Sequence, residues 1–276
     1  MTQVPERMAG SVTLETAINA LLIAKRLANL RPQYVKSLRA YLGQFSRGRE
    51  ETLVTAVDVF MLEDWFAKRS ECLSAMASNI GRLSALFAFC ERRGWVNKNP
   101  CRMLERPRVE RKAPKILTSE QAGKLIAAVR ERRPHMAPFF ALAMFAGVRP
   151  DEVSRLSWKS LDLDRGLLTI DASASKVRRR RLVYLEPAAV ALLRLGGRLP
   201  VSRATRRRYQ SFACAVLGFE EWSQDLLRHT AASYLLALHR DAGKVAFGLG
   251  NSPGILMRHY SELVGAEDAT KFWAVR

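Results

Sequence analysis

Apolar positions recur at helical spacing through the first hundred residues. Residues 11–26 place Ala17, Leu21 and Ala24 on one face, behind Thr13, a residue suited to capping a helix start. Pro32 restarts the chain, and Val35, Leu38, Leu42 and Phe45 keep the same period. The polar stretch SRGRE at 46–50 separates that helix from a third, which carries Phe60, Leu62, Trp65 and Phe66. The fourth is the clearest. Met76, Ile80, Leu83, Phe87 and Cys90 step by four, three, four and three, and Gly94 ends the run. These helices predict a first domain over 11–99, with Trp65, Phe87 and Trp95 in its core.

The pattern then breaks. Residues 100–115 contain CRMLERPRVERKAP, with three prolines and six cations and almost no apolar periodicity. This reads as an exposed basic linker. A linker that only spans two domains does not need such charge, whereas one lying along a phosphate backbone does. Arg106, Arg108, Arg111 and Lys112 are its candidate phosphate contacts.

A second domain over 116–276 opens at Thr118 and Ser119, which suit a helix start. Residues 136–146 predict a strongly apolar helix at the centre of its core. Gly147 breaks that helix, and Pro150 begins a short one with Val153 and Leu156 inward. Strands are expected at 161–163, 167–170 and 182–185, separated by turn signals at Asp164-Arg165-Gly166 and across 173–180. Everything after Pro187 reads as helical. The expected fold class is mainly α with a small antiparallel β-sheet: a helical N-terminal domain followed by a mixed α+β domain.

Composition narrows the function. Hydrophobic residues make up 48% of the 276, enough to bury two cores. Lys+Arg is 45 against Asp+Glu 26, a formal net charge of +19, and 34 of the cations are arginine. Guanidinium groups fork onto phosphate through two parallel hydrogen bonds, so this balance suits a polyanion. A GC-rich genome would inflate arginine but does not explain the deficit of acid. Nucleic acid is the expected partner. The apolar stretch 136–148 falls short of the ~20 residues of a membrane span. The N-terminal residues have no apolar core of a signal peptide, so no membrane partner and a cytoplasmic, nucleoid-associated location are expected. Cys72, Cys90, Cys101 and Cys214 form no CxxC pair, and the four histidines lack HExxH spacing. Reduced core thiols and no metal or other cofactor are the expectation.

Phosphoryl transfer requires cations on the non-bridging oxygens, a nucleophile, and an acid for the leaving oxygen. Arg149 follows the apolar helix and a glycine in AGVRPDEVSRLSW. Lys176 sits in a strand-to-strand turn, SASKVRRRRLVYL. Arg228 opens a helix in DLLRHTAASYLL, and Tyr260 comes late, in LGNSPGILMRHYSELV. Taken singly, each reads as surface or packing. Order and spacing together are specific. The chain resembles the tyrosine recombinases, the phage-type integrase family of site-specific DNA recombinases, over about residues 11–270. AGVRPDEV resembles the family's first-arginine box, with Glu152 at its acidic position. Lys176 falls where the family keeps its hairpin lysine, Leu227-Arg228-His229-Thr230 resembles the second-arginine box, and Leu249-Gly250 followed by Tyr260 matches the LGH…Y spacing.

The resemblance implies a mechanism. The tyrosine hydroxyl attacks the scissile phosphate, forming a 3′-phosphotyrosyl link and releasing a 5′-hydroxyl. A second 5′-hydroxyl then attacks that link and rejoins the strands. The ester keeps the bond energy, so neither ATP nor metal is implied. By position, Tyr260 is the nucleophile, Arg149 and Arg228 clamp the phosphate, and Lys176 protonates the leaving oxygen. Double-stranded DNA is the implied partner, and a homo-tetramer on synapsed DNA the implied assembly.

Two positions depart from the family pattern. Its HxxR histidine is Asp225 here, and its LGH histidine is Asn251. The Asn251 amide can still donate to a phosphate oxygen. An ionised Asp225 donates nothing: it serves as a base for Tyr260 or pairs with Arg228, unless neighbouring Gln224 supplies a donor. His229 and His259 are alternative replacements for the missing histidines. Glu152 is expected to buttress Arg149. Arg178, Arg179, Arg180 and Arg181, with Arg203, Arg206, Arg207 and Arg208, are read as phosphate contacts rather than solvated faces. Phe272 and Trp273 suit either a neighbour's pocket or self-packing. The competing functions are a catalytically weakened or inactive integrase-like DNA-binding protein with an accessory or regulatory role, and a helix-turn-helix repressor. The repressor leaves the hairpin lysine and late tyrosine unexplained.

Overall fold

The computed structural model describes residues 11–108, 113–175, 178–260 and 263–275. The chain divides into two compact units, Met1–Arg111 and Lys112–Arg276.

The first unit is helical. In α1 (Leu14–Leu27) the Thr13 hydroxyl accepts the Thr16 N–H at 3.3 Å, and Leu14, Ala17, Ile18, Leu21 and Leu22 form the buried face. Helix α2 (Pro32–Ser46) begins on its proline and buries Val35, Leu38, Leu42 and Phe45. Asp58 caps α3 (Val59–Ala67) by accepting the Met61 N–H at 2.8 Å. Leu62, Trp65 and Phe66 point inward, whereas Phe60 is 73% exposed. Two residues before Leu62 is about 200° around a helix, which takes Phe60 off the apolar face. Helix α4 (Leu73–Arg92) buries Ile80, Leu83, Phe87 and Cys90 as their spacing predicts. By length and composition α4 could cross a membrane, but that apolar face lies in the core of this unit.

The first core extends further than composition suggests. Pro100–Arg102 is a 3₁₀ turn, Cys101 and Leu104 are buried, and buried Asn99 donates to the Ser84 carbonyl at 3.1 Å and hydroxyl at 3.0 Å. Cys101 and Leu104 therefore anchor the start of the expected linker in the first core, while Arg102 and Met103 between them stay exposed. Arg106 and Arg108 are exposed, while Arg111 and Lys112 lie outside the described residues. Of the four thiols, Cys90 and Cys101 are core, Cys214 is half-buried and Cys72 is exposed, so the expectation of core thiols holds for two.

The second unit opens with α5 (Ser119–Arg132), closed by a reciprocal capping box between Thr118 and Gln121. The apolar stretch that follows is not one α-helix. It runs as a 3₁₀ turn (Pro134–Met136), α6 (Ala137–Phe140) and a π-helical turn (Ala141–Phe145), every residue from Met136 to Phe145 buried. The π turn places the Ala146 N–H on the Ala141 carbonyl at 3.2 Å, widening the helix just before Gly147. Short α7 (Pro150–Val153) leads to an antiparallel sheet of β1 (Leu161–Asp162), β2 (Leu167–Ile170) and β3 (Arg181–Tyr184), in that order. Six helices complete the described chain: α8 (Pro187–Leu193), α9 (Arg203–Leu217), α10 (Leu226–His239), α11 (Ala242–Leu249), α12 (Pro253–Tyr260) and α13 (Ala266–Trp273).

Helix α13 packs on its own unit. Phe272 is fully buried and stacks on Tyr234 with ring centroids 3.8 Å apart. Asp268 accepts hydroxyl hydrogen bonds from Ser119 and, at 2.6 Å, from Tyr234. Of the two roles open to Phe272, self-packing is the one observed.

Candidate active site

The site is built where the π turn, α10 and α11 converge. Gly147 adopts φ +61°, and a Cβ there would lie 2.2 Å from Leu249 Cδ2 and 3.2 Å from Ala231 Cβ. Only glycine combines that backbone with so close an approach. The contact brings the Gly147 carbonyl onto Nη1 of Arg228. Gly250, at φ +65°, ends α11 in a left-handed cap and turns its carbonyl toward Arg149.

Arg149 precedes α7 and reaches α11. Its Nη1 donates to Leu249 O at 3.3 Å, and its Nη2 donates to Gly250 O at 3.0 Å and Asn251 Oδ1 at 2.7 Å. Arg228 is 6% exposed on the first turn of α10, and its Nη2 donates to Leu249 O at 2.8 Å and the same Asn251 Oδ1 at 3.0 Å. Guanidinium groups only donate, which fixes the Asn251 amide with its oxygen toward the arginines and its NH₂ away from them. Burial, and then the neighbouring charge of Arg149, bring the Arg228 pKa down to about 10. Burial also lowers that of Arg149. Both remain cations at neutral pH.

Glu152 is fully buried, and its closest partner is not Arg149. Arg181 Nη2 approaches Glu152 Oε2 at 2.6 Å and Arg181 Nη1 approaches Oε1 at 3.3 Å, whereas the Arg149 contact is 3.6 Å. Arg181 also donates through Nε to Gly248 O at 3.0 Å. β3 alternates with Arg181 and Val183 inward and Leu182 and Tyr184 outward, so Arg181 borders the cleft but is mostly buried, with its guanidinium engaged by Glu152. Glu152 compensates the arginine so buried, and Arg149 receives the weaker share.

Tyr260 closes α12 with its ring buried against Leu249 and Leu256 in a small cluster of its own. Its hydroxyl lies 2.7 Å from Nδ1 of His229. Burial raises the Tyr260 pKa above 10, and the charges of Arg228 and Arg149 act against that rise. Burial lowers the His229 pKa below 6.5, with Asp225 opposing and Arg228 and His259 adding to the fall. His259 sits edge-on to Tyr260, centroids 6.2 Å apart. Asp225 occupies the left-handed region at φ 56° immediately before α10, and its backbone carbonyl accepts the His229 N–H at 2.8 Å. Among the described residues no hydrogen bond or ion pair joins its carboxylate to Arg228 or Tyr260, and its charge acts on His229, Tyr260 and Arg149 from a distance. Gln224 is exposed.

A cleft of about 600 Å³ opens beside the arginines, lined by Arg149, Arg179, Arg180, Asn251, Ser252 and Ile255 among others. Lys176 lies outside the described residues. Arg178, Arg179 and Arg180 are exposed, and Arg180 Nε stands 3.6 Å from Asp171. On α9, Arg207 and Arg208 are exposed, but Arg206 is mostly covered and pairs with Asp151 at 2.8 Å. The sequence offers His229 as a replacement for a missing histidine and Arg181 as a phosphate contact, but not their pairing with Tyr260 and Glu152. For Arg181 a signal existed: in a strand of period two, an inward Val183 puts position 181 inward as well.

No family model matches the chain. It is similar to Tyrosine recombinase XerC of Xanthomonas axonopodis pv. citri, 28% identical over 205 residues, 66% of this chain and 66% of that protein. XerC of Xanthomonas campestris pv. campestris is 26% identical over 254 residues, 83% of this chain and 77% of that one. The chain thus spans just under two thirds of the first relative's length and more of the second's. A crystal structure of a lambda integrase dimer bound to a core site shares the fold, with a TM-score of 0.70 at 14% identity, covering 92% of this chain and 98% of that one.

Proposed function

Since this chain belongs to the tyrosine recombinase family, which includes the phage-type integrases, we propose that it breaks and rejoins DNA strands site-specifically through a 3′-phosphotyrosyl intermediate. The observation that carries the reading is the convergence of Arg149 and Arg228 on a single oxygen, Asn251 Oδ1, beside a cleft lined by further arginines. Two guanidiniums held together repel, and the buried Glu152 carboxylate at their backs is engaged more closely by Arg181 than by Arg149. The unbalanced charge calls for an anion, and a phosphodiester supplies one with oxygens to bridge both forks. Asn251 Oδ1 stands where such an oxygen would be shared, and its NH₂ adds a donor.

Tyr260 Oη attacks phosphorus, its O–H electron pair becoming the new O–P bond. The P–O5′ bond breaks, and the 5′-oxygen keeps that pair and takes a proton from Lys176. Attack by a second 5′-hydroxyl reverses these steps and joins new strands. The same positive charge that binds the ground-state phosphate stabilises the more highly charged transition state. Arg106, Arg108, Arg111, Lys112, Arg178, Arg179, Arg180, Arg207 and Arg208 hold the flanking backbone. Arg206 is reassigned from DNA contact to its ion pair with Asp151. The active assembly is a homo-tetramer on two synapsed duplexes.

Asp225 favours a second reading. A carboxylate in place of a histidine donor repels the phosphate and slows cleavage, which in the extreme leaves a silent DNA-binding relative with an accessory role. A randomised library of nicked duplexes separates the two. Nicking lets the released 5′-end diffuse away and traps the covalent intermediate. Denaturation-resistant protein–DNA adduct is the expected result, and retention of DNA without adduct is the result for the silent relative.

A further inference from the structure

The Tyr260 hydroxyl must lose a proton as it attacks, and burial makes that harder in the resting protein. Three groups near it can accept one, and geometry separates them. Among the described residues neither Asp225 nor His259 has a hydrogen bond to Tyr260, the His259 ring standing edge-on to it with centroids 6.2 Å apart. Nδ1 of His229 lies 2.7 Å from Oη. The position is well fixed. His229 sits in the first turn of α10, its N–H bound to Asp225 O at 2.8 Å and its carbonyl accepting from the Ser233 hydroxyl at 3.1 Å. The adjacent Arg228 is turned about 100° around the helix, so one turn of α10 presents the phosphate clamp and the tyrosine's partner side by side.

We infer that His229 is the general base of the reaction, its Nδ1 taking the phenolic proton of Tyr260 as Oη bonds to phosphorus. The inference rests on the strand-transfer reading above. The step balances: the proton moves from Oη to Nδ1, the freed pair forms the O–P bond, and the P–O5′ pair leaves with the 5′-oxygen. On rejoining, the imidazolium returns its proton to Oη as the second 5′-hydroxyl displaces it. The groups facing the pair are consistent with this. Burial keeps His229 neutral, leaving a lone pair on Nδ1 when Nε2 carries the hydrogen. Arg228 and Arg149 favour the phenolate, while Arg228 and His259 oppose the imidazolium. Asp225 acts in the reverse sense on both groups, favouring the imidazolium and opposing the phenolate.

The test uses the full chain and a nicked duplex selected from the randomised library, with single-turnover adduct formation followed from acid to mildly alkaline pH. His229→Asn keeps a polar group near the Nδ1 position but takes no proton, and His229→Ala leaves a space that free imidazole can enter. Both variants are expected to retain DNA affinity and to form adduct about 10²–10⁴-fold more slowly, the range for a lost general base. Added imidazole is expected to restore His229→Ala, and the loss of wild-type rate on the acid side is expected to vanish in His229→Asn. A wild-type rate in His229→Asn would show that only the hydrogen bond matters and overturn the inference. So would His229→Ala that stays folded yet gains nothing from imidazole. Absence of adduct from the wild-type protein across the library would overturn the strand-transfer reading itself, and the inference with it.

Discussion

Glu152 and Arg181 form a buried ion pair, 2.6 Å at its shorter contact, directly behind the arginine that faces the cleft. The first arginine box and the third strand are thus joined through one carboxylate that both guanidiniums approach. Two cations around one anion leave net positive charge at the surface of the site while the interior is compensated.

Arg181→Met should remove the bidentate partner and leave the buried Glu152 carboxylate without its closest cation, the Arg149 guanidinium standing 3.6 Å away. The expected loss is roughly 3–5 kcal/mol of unfolding free energy, as for other buried pairs broken on one side. Urea denaturation checks it. A midpoint unchanged from wild type would show that Arg149 moves in to replace Arg181.

Asp225→His should leave DNA affinity nearly unchanged and raise the rate of adduct formation, because it removes a carboxylate from beside the phosphate and supplies a donor. Adduct kinetics on the nicked duplex measure it. A fall in rate would show that the carboxylate has a positive role.

Lys176→Ala should slow cleavage by about 10²–10⁴-fold if the lysine is the acid for the leaving oxygen. A 5′-bridging phosphorothioate should largely restore the variant, since a thiolate leaves without a proton. Failure of sulfur to rescue would make Lys176 a phosphate contact.

Sequence disclosed the parts of this account that depend on local order. The stepping of Ile80, Leu83, Phe87 and Cys90 fixes the buried face of α4 because a helix repeats every 3.6 residues. Gly147 is legible as a break, though not as the close approach that seats Arg228. What pairs across the chain was hidden. His229 and Tyr260 are 31 residues apart on different helices, and only the packing of α12 on α10 brings them together. The arginine run disguised Arg181, since composition treats four adjacent arginines alike while a strand sends alternate ones to opposite faces. Cys101 and Leu104 were masked by prolines and cations that suggested a linker, although both are buried in the first core.

DNA binding should weaken steeply with salt. If about eight phosphates are neutralised by the basic residues, log K should fall against log salt with a slope near −7. Titrations over a range of salt concentrations give the slope directly. A value near zero would exclude a phosphate-tracking surface.

The most direct test is Tyr260→Phe beside the wild type on the selected nicked duplex. The substitution removes one oxygen from a ring that still packs against Leu249 and Leu256, so folding and DNA affinity should persist. Wild-type protein should yield a covalent adduct whose digestion gives a DNA-linked peptide containing Tyr260, and the phenylalanine variant should yield none, with or without a 5′-bridging sulfur. Adduct from the variant, or a wild-type linkage mapped to any other residue, would contradict the assignment of Tyr260 as the nucleophile.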